Sequence, residues 1–486
     1  MTTTAPPRAE LHRPQFHLTP DATWMNDPNG LILHEGTWHA FFQNNPSGST
    51  WGNMSWGHAV SEDLATWREL PVALPCRDGE LIFSGSVVHD AENSSGLGAP
   101  GEPGPLVAIY TSAYTDTHPE RAGTQAQSLA VSRDGGTTWQ FHAENPVLDR
   151  GSSDFRDPKV FRHAATGRWV MVAVEAVDHS VLIHTSTDLR HWELASTLTD
   201  PALDGGIWEC PDLVRIPGTG SEEAETWALI VSTNPGGPAG GSGTYVLLGG
   251  FDGRTFTPAA APVPLDLGQD CYAAVSFGGV EGAPVLLGWM NNWDYAELTP
   301  TGPWRSAMTL PRTLTSGTRP DGTVEVVQRL LVPEDVPVVD LGTPRAPAAG
   351  AGAEAGAALG EERILARLEG GAVCLDGVLD LRTAHHLAVR FGEVGGRAAG
   401  TPELRIEVDE SGRVVLDRSA AHREPFAPGH ARSAPFTPAD GAQQVPFRLV
   451  LDASTAELEL DGGRAVVSQQ IFPGAGPTTV RIQPSA

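Results

Sequence analysis

Apolar residues along this chain recur in short runs, not at helical spacing. Residues 169–174 and 180–184 are strand-length and lie between turn residues, and most of the first two thirds has the same texture. A loose repeat punctuates the runs. Ser61-Glu62-Asp63-Leu64 leads to Trp67, Ser132-Arg133-Asp134-Gly135-Gly136 to Trp139, and Ser186-Thr187-Asp188-Leu189 to Trp192. Asp252-Gly253-Arg254-Thr255, leading to Phe256, is a weaker fourth copy. In each, the Asp can accept bonds from backbone amides of a turn, and the aromatic packs on the hairpin as the chain returns. The copies stand roughly fifty to seventy residues apart, which suits one β-propeller blade each. The bland alternative is a set of ordinary hairpins in a large sandwich, and the regular spacing favours the propeller.

The texture changes after Pro333. Residues 342–360 are mostly Ala, Gly, Pro and Glu, a composition that reads as a linker or exposed loop. Alternating segments then return at 404–408, 413–416, 447–451 and 456–460, and they indicate a second all-β unit, a sandwich. The expected organisation is a propeller over 11–333, a connecting segment with the linker over 334–362, and a β-sandwich over 363–486.

Composition narrows the function. A chain of 486 residues with 40% hydrophobic and 19% charged side chains supports two packed domains. The 55 Gly, 40 Pro and 13 Trp fit short strands and tight turns. The formal net charge is −27, and Lys159 is the only lysine, which argues against nucleic acid and against a polyanionic substrate. Cys76, Cys210, Cys271 and Cys374 form no CxxC pair, so no zinc site is expected and the thiols read as reduced. No stretch approaches the length of a membrane span. The first twenty residues lack the apolar core of a signal peptide, so a cytoplasmic location is expected unless a leader was removed. The oligomeric state is not legible.

Three carboxylates sit in unusual settings: Asp27 in Trp24-Met25-Asn26-Asp27-Pro28-Asn29-Gly30, Asp157 in Phe155-Arg156-Asp157-Pro158, and Glu209 in Trp208-Glu209-Cys210-Pro211. Singly, each is a turn acid beside a chain breaker. Two precede proline, which steers the preceding residue away from helix and fixes a bend. On a propeller strand such a bend can aim a carboxylate into the channel. Together they suit glycoside hydrolysis, in which one carboxylate attacks the anomeric carbon and another protonates the leaving oxygen. Asn26 is placed to keep Asp27 ionised, and Arg156 to favour the charged form of Asp157. Trp208, neighbouring charges and partial burial are placed to keep Glu209 protonated. Nothing here asks for a metal or another cofactor.

These stretches resemble glycoside hydrolase family 32, the invertases, inulinases and levanases. The resemblance runs through 24–30, 51–59, 83–86, 155–158, 208–211, 268–273, 288–295 and 304–312, in the family's order, and continues in the tail at 412–418 and 462–473. It implies a five-bladed β-propeller with a C-terminal β-sandwich. It implies a retaining β-fructosidase acting on fructans or sucrose, with Asp27 as nucleophile, Glu209 as acid/base and Asp157 as transition-state stabiliser. It implies sugar contacts at Trp24, Asn26, Gln43, Trp51, Phe83, Ser84, Arg156 and Trp293. The stretches 236–243 and 291–305 look more like exo-acting inulinases and levanases than invertases. Asn44 departs from the family, which often carries an aromatic or His there, and this touches the local shape of the sugar pocket. Cys210 and His58 read as structural. Fructosyl transfer is the near alternative, since it uses the same residues with a sugar replacing water; a levan fructotransferase is one example. A non-catalytic fructan-binding propeller would be expected to lack one of the acids, and a sialidase would need an Arg cluster and a Tyr nucleophile.

Overall fold

The computed structural model describes residues 10–484 except 100, 102–103, 201, 204, 219–225, 320, 345–362, 369, 393–400, 423–430, 439–440 and 475. Between Trp24 and Leu330 five antiparallel sheets follow one another along the chain. In the first, Trp24–His34, Thr37–Asn45, Ser55–Ser61 and Arg68–Leu74 pair in that order, and the others repeat the meander. The first strands of the five sheets are Trp24–His34, Glu80–His89, Phe155–His163, Ile207–Ile216 and Tyr272–Ser276. Each touches the next, and the fifth returns to the first. The ring is a five-bladed β-propeller whose first strands line the central channel.

The Asp-turn repeat falls at one place in four blades, the turn between the third and fourth strands. Asp63 Oδ1 accepts from the amides of Thr66 (2.7 Å) and Ala65 (2.9 Å), and these two bonds hold its carboxyl down at about 2. Trp67 closes the turn by donating its indole N–H to the Leu64 carbonyl at 3.2 Å. Asp134 with Trp139 and Asp188 with Trp192 repeat the arrangement. The fifth blade turns on Asp321, which accepts from the Thr323 amide at 2.9 Å without an aromatic partner, so the sequence repeat fades there.

The second domain is a β-sandwich of two five-stranded sheets. The alternating segments seen in the sequence lie on its strands, and their inward residues Leu404, Ile406, Leu416, Leu449, Leu451 and Leu458 share one core. Val338–Asp340, inside the stretch read as a connecting segment, pairs in parallel with Val373–Asp380 and becomes an edge strand of the sandwich. The Ala/Gly/Pro-rich run at 345–362 lies outside the described residues. Buried ion pairs join the domains. Arg312 of the fifth blade donates to Asp266 (2.9 Å) and to Glu457 of the sandwich (3.1 Å). His17, in the arm preceding the first blade, lies between Asp452 (3.0 Å) and Glu457 (2.9 Å).

Candidate active site

Every first strand slips in its pairing with the second. The breaks fall between Met25 and Pro28, Phe83 and Gly85, Arg156 and Lys159, Glu209 and Asp212, and Tyr272 and Val275. A bulge takes a residue out of the ladder, bends the strand and re-aims a side chain. Asn26, Asp27, Ser84 and Asp157 are among the residues so freed, and Glu209 and Tyr272 are the last paired residues before theirs. Asp157 does not take the extended conformation expected before proline. It enters the left-handed region (φ +62°), as do Cys210 (φ +48°) and Ala273 (φ +52°) at the equivalent bulges. One backbone device, repeated around the channel, thus turns the acids toward a common point.

That point is a cavity of about 270 Å3. Asp27, Asp157 and Glu209 line it with Asn26, Gln43, Trp51, Phe83, Ser84, Arg156 and Trp293, and Ile207 and Asn234 complete the wall. Trp24 is the exception among the expected contacts. It is fully buried and absent from the lining; its indole donates to Asn26 Oδ1 at 2.7 Å and stacks on Trp293 with ring centroids 6.2 Å apart. A larger hollow of about 380 Å3 lies between the N-terminal arm and the sandwich, but Glu10 on its wall is paired with Arg13, and Asp452 accepts from the amides of Gln15 and Phe16. Its acids are already occupied, so we place the chemistry in the smaller, propeller cavity.

The bonds among the acids are specific. Ser84 Oγ donates to Asp27 Oδ2 at 3.1 Å, and the Cys210 amide donates to Asp157 Oδ2 at 2.9 Å. The Cys210 thiol lies between the two, 3.5 Å from Asp27 Oδ2 and 3.7 Å from Asp157 Oδ2. Arg156 Nη2 meets Glu209 Oε1 at 3.2 Å, and the Tyr272 hydroxyl donates to Glu209 Oε2. Asp27 Oδ1, Arg156 Nε and Trp293 Nε1 are buried without a hydrogen-bond partner among the described residues. Unpaired buried polar atoms are costly, and a polyhydroxylated ligand would satisfy them.

Burial sets the charges. It raises Asp27 to about 6, with Glu209 adding to the rise and Asn26, Ser84 and Cys210 opposing it. It raises Asp157 to about 7 against the pull of Arg156. Asn26 and Arg156 act in the direction expected from the sequence, and desolvation, the largest influence on each acid, outweighs them. Burial and the neighbouring carboxylates also push the Cys210 thiol and the Tyr272 phenol well up, so both are neutral donors. Asp157 and Glu209 share the Arg156 guanidinium, whereas Asp27 has no cation of its own among the described residues. Glu209 has the carboxylate most open to the cavity, its side chain 19% exposed against 6% for Asp157.

Several neighbours were not legible as site residues. Tyr272 lies within the family-like stretch 268–273, and its place at the fifth bulge is the signal that assigns it. Thr111 accepts from the Asp157 amide at 2.9 Å and donates to the Ser84 carbonyl at 3.1 Å, locking two bulges together. Asn44 stays out of the cavity: its amide donates to the Trp24 carbonyl and the Thr23 hydroxyl, each at 2.8 Å. His58 is buried, stacked on Phe41 and 3.1 Å from His39.

Comparison with known proteins agrees with this fold. Residues 17–329 match the model of the glycosyl hydrolases family 32 N-terminal domain, and residues 383–485 match the family 32 C-terminal model. A levanase of Bacillus subtilis is 38% identical over 476 residues, covering 96% of this chain and 67% of the levanase. An extracellular exo-inulinase of Aspergillus awamori is 46% identical over 331 residues, covering 62% of this chain and 61% of that protein. The crystal structure of exo-inulinase from Aspergillus awamori superposes with a TM-score of 0.80 at 33% identity, covering 98% of both chains. A β-fructofuranosidase from Schwanniomyces occidentalis complexed with fructosyl-erythritol gives 0.78 at 27% identity, over 98% of this chain and 94% of that one. These matches place the chain among the glycoside hydrolases. The chain belongs to glycosyl hydrolases family 32.

Proposed function

We propose that this protein is a retaining β-fructofuranosidase that releases fructose from fructans of the inulin or levan type and from sucrose. The observation that carries the reading is that Asp27, with Oδ1 unpartnered, shares one small cavity with Glu209, which is held by Arg156 and Tyr272. In the first step Asp27 Oδ1 attacks C2 of the fructosyl unit, the C2–O bond to the leaving sugar breaks, and Glu209 gives that oxygen its proton. In the second, Glu209 takes a proton from water, the water oxygen attacks C2, and the bond to Asp27 breaks. Two inversions give net retention. Asp157 accepts hydrogen bonds from ring hydroxyls while positive charge builds at C2. Asn26 and Gln43 supply further polar contacts, and Phe83 and Trp51 close one side with their rings edge to face, 6.3 Å apart.

The relatives named levanase and exo-inulinase support fructan as substrate, and the relative named invertase supports sucrose. The test is incubation with sucrose, inulin and levan separately, followed by sizing of the products. Free fructose as the growing product is the expected result. Short oligomers would mean internal cutting, and difructose anhydride or lengthened sugars would mean transfer; either would overturn the reading, as would inert substrates.

A further inference from the structure

Of the 32 Lys and Arg residues only Lys159 is a lysine, and it is not on the surface. Its side chain is 11% exposed, and its ammonium lies in the channel on the far side of the bulges from the cavity. It donates to Asp212 Oδ2 at 3.1 Å, to Ser276 Oγ at 3.1 Å and to the Ser276 carbonyl. Asp212 is completely buried and also accepts from the Ser276 amide at 2.6 Å. An ammonium has three donors, and three acceptors converge here. A guanidinium is a wide planar fork, whereas this site is compact and three-dimensional. The chain's single lysine stands at this compact site.

The three partners are not arbitrary. Lys159 and Asp212 are the residues at which the third and fourth blades re-enter the ladder after their bulges, and Ser276 follows the re-entry residue of the fifth. The bulges they anchor present Asp157, Glu209 with Cys210, and Tyr272. The other side of the third bulge is tied to the second blade, where Ser86 Oγ donates to the Pro158 carbonyl and accepts from the Val160 amide, each at 2.9 Å. Lys159, Cys210 and Asp157 border one small void, and Asp157 also lines the cavity.

We infer that Lys159, through Asp212 and Ser276, is a positioning residue: a cationic tie across three blades that fixes the spacing of Asp157, Glu209 and Tyr272. The inference rests on the proposed fructosidase reading and adds residues that touch no substrate. A misplacement of about 1 Å in such a set can cost on the order of a hundredfold in rate.

The test separates positioning from stability. Lys159→Met alone strands the buried Asp212 charge and lowers the melting temperature. Lys159→Met with Asp212→Asn removes both charges and keeps an acceptor for the Ser276 amide, so stability returns while the tie stays broken. On sucrose, and on any fructan the wild type hydrolyses, the double variant is expected to keep the wild-type melting temperature within a few degrees. Its kcat is expected to fall at least tenfold with KM within threefold. Ser276→Ala, which removes one acceptor, is expected to lower kcat by about threefold with the same split, and Lys159→Arg is expected not to rescue. A folded double variant with wild-type kcat, or one whose loss is entirely in KM, would overturn the inference. Wild-type protein inert on all fructosides would overturn the fructosidase reading instead.

Discussion

The protein buries two clusters of carboxylates, and they are built on opposite rules. At the junction of propeller and sandwich, every oxygen of Asp266, Asp452 and Glu457 has a donor. Asp266 Oδ1 takes the Gly268 and Ser468 amides, and its Oδ2 takes Arg312 and the Ser468 hydroxyl. Glu457 takes the Leu310 amide, His17 and Arg312. In the propeller channel, Asp157 and Glu209 share Arg156, and Asp27 Oδ1 has no donor among the described residues. A saturated cluster is low in energy as it stands and has nothing to offer a ligand. An unsaturated one carries a standing cost that substrate relieves and that the reaction uses. Burial and charge alone do not set Asp27 apart from the junction acids; its undonated Oδ1, facing the cavity, does.

Substitutions at the two clusters should therefore break in opposite ways. The largest effect is expected at Asp27. Asp27→Asn should lower kcat by at least about four powers of ten, because the attacking oxygen is lost. The same change should stabilise the fold. An acid raised from 3.8 to about 6 by folding is neutral in both states at low pH, and ionising it in the folded state costs stability as pH rises from about 4 to 6. Removing that charge should gain up to about 3 kcal/mol at pH 7. Denaturant titration beside initial rates checks both halves.

At the junction the signs reverse. Arg312→Met leaves Asp266 buried without its cation and Glu457 with His17 as its remaining cation, so it should cost about 3–5 kcal/mol while kcat of the folded fraction stays within about threefold of wild type. Chemical denaturation monitored by Trp fluorescence, with activity assayed below the transition, reads the two quantities separately.

His17 gives the junction a pH signature. Burial alone would lower its pKa, but Asp452 and Glu457 outweigh that and raise it to about 9. A histidine raised from 6.5 contributes stability in full below about 6.5 and loses it as pH climbs through 9. The wild type should lose up to about 3 kcal/mol across that window, and His17→Gln should flatten the curve. An unchanged slope in the variant would remove His17 as its source.

The smallest effect is expected at the rim. Trp51 is 44% exposed and reaches the cavity from a loop. Trp51→Ala should raise KM on fructan by about three- to tenfold, with kcat and stability nearly unchanged, as loss of uniform binding requires.

Much of this was legible because it is local. Asp63 with Trp67 and Asp188 with Trp192 mark the outer turn of a blade within seven residues, so their spacing exposes the propeller. Asp27, Asp157 and Glu209 announce themselves through the short motifs around them. What escaped depends on distance in sequence or on burial. His17 and Asp452 lie 435 residues apart, and no pattern joins them before the chain folds. The rise of the Asp27 carboxyl is not legible beside Asn26 until the depth of the channel is known. Trp24 sits in the same motif as Asp27 yet is fully buried, its indole bonded to Asn26. Tyr272 carries no motif of its own and becomes recognisable only as the fifth member of a ring of bulges.

The central claim is that Asp27 is the nucleophile and Glu209 the acid/base, and Glu209→Ala tests it most directly. With an activated aryl fructoside the leaving group needs no proton, so the first step should stay fast while hydrolysis of sucrose and inulin is nearly abolished. The second step lacks its base, so a fructosyl unit should accumulate on Asp27, visible by mass spectrometry of the quenched protein and localised by peptide mapping. Azide needs no base and should restore turnover, giving fructosyl azide with retained configuration. Equal loss on natural and activated substrates, no adduct and no response to azide would contradict the assignment of both residues' roles.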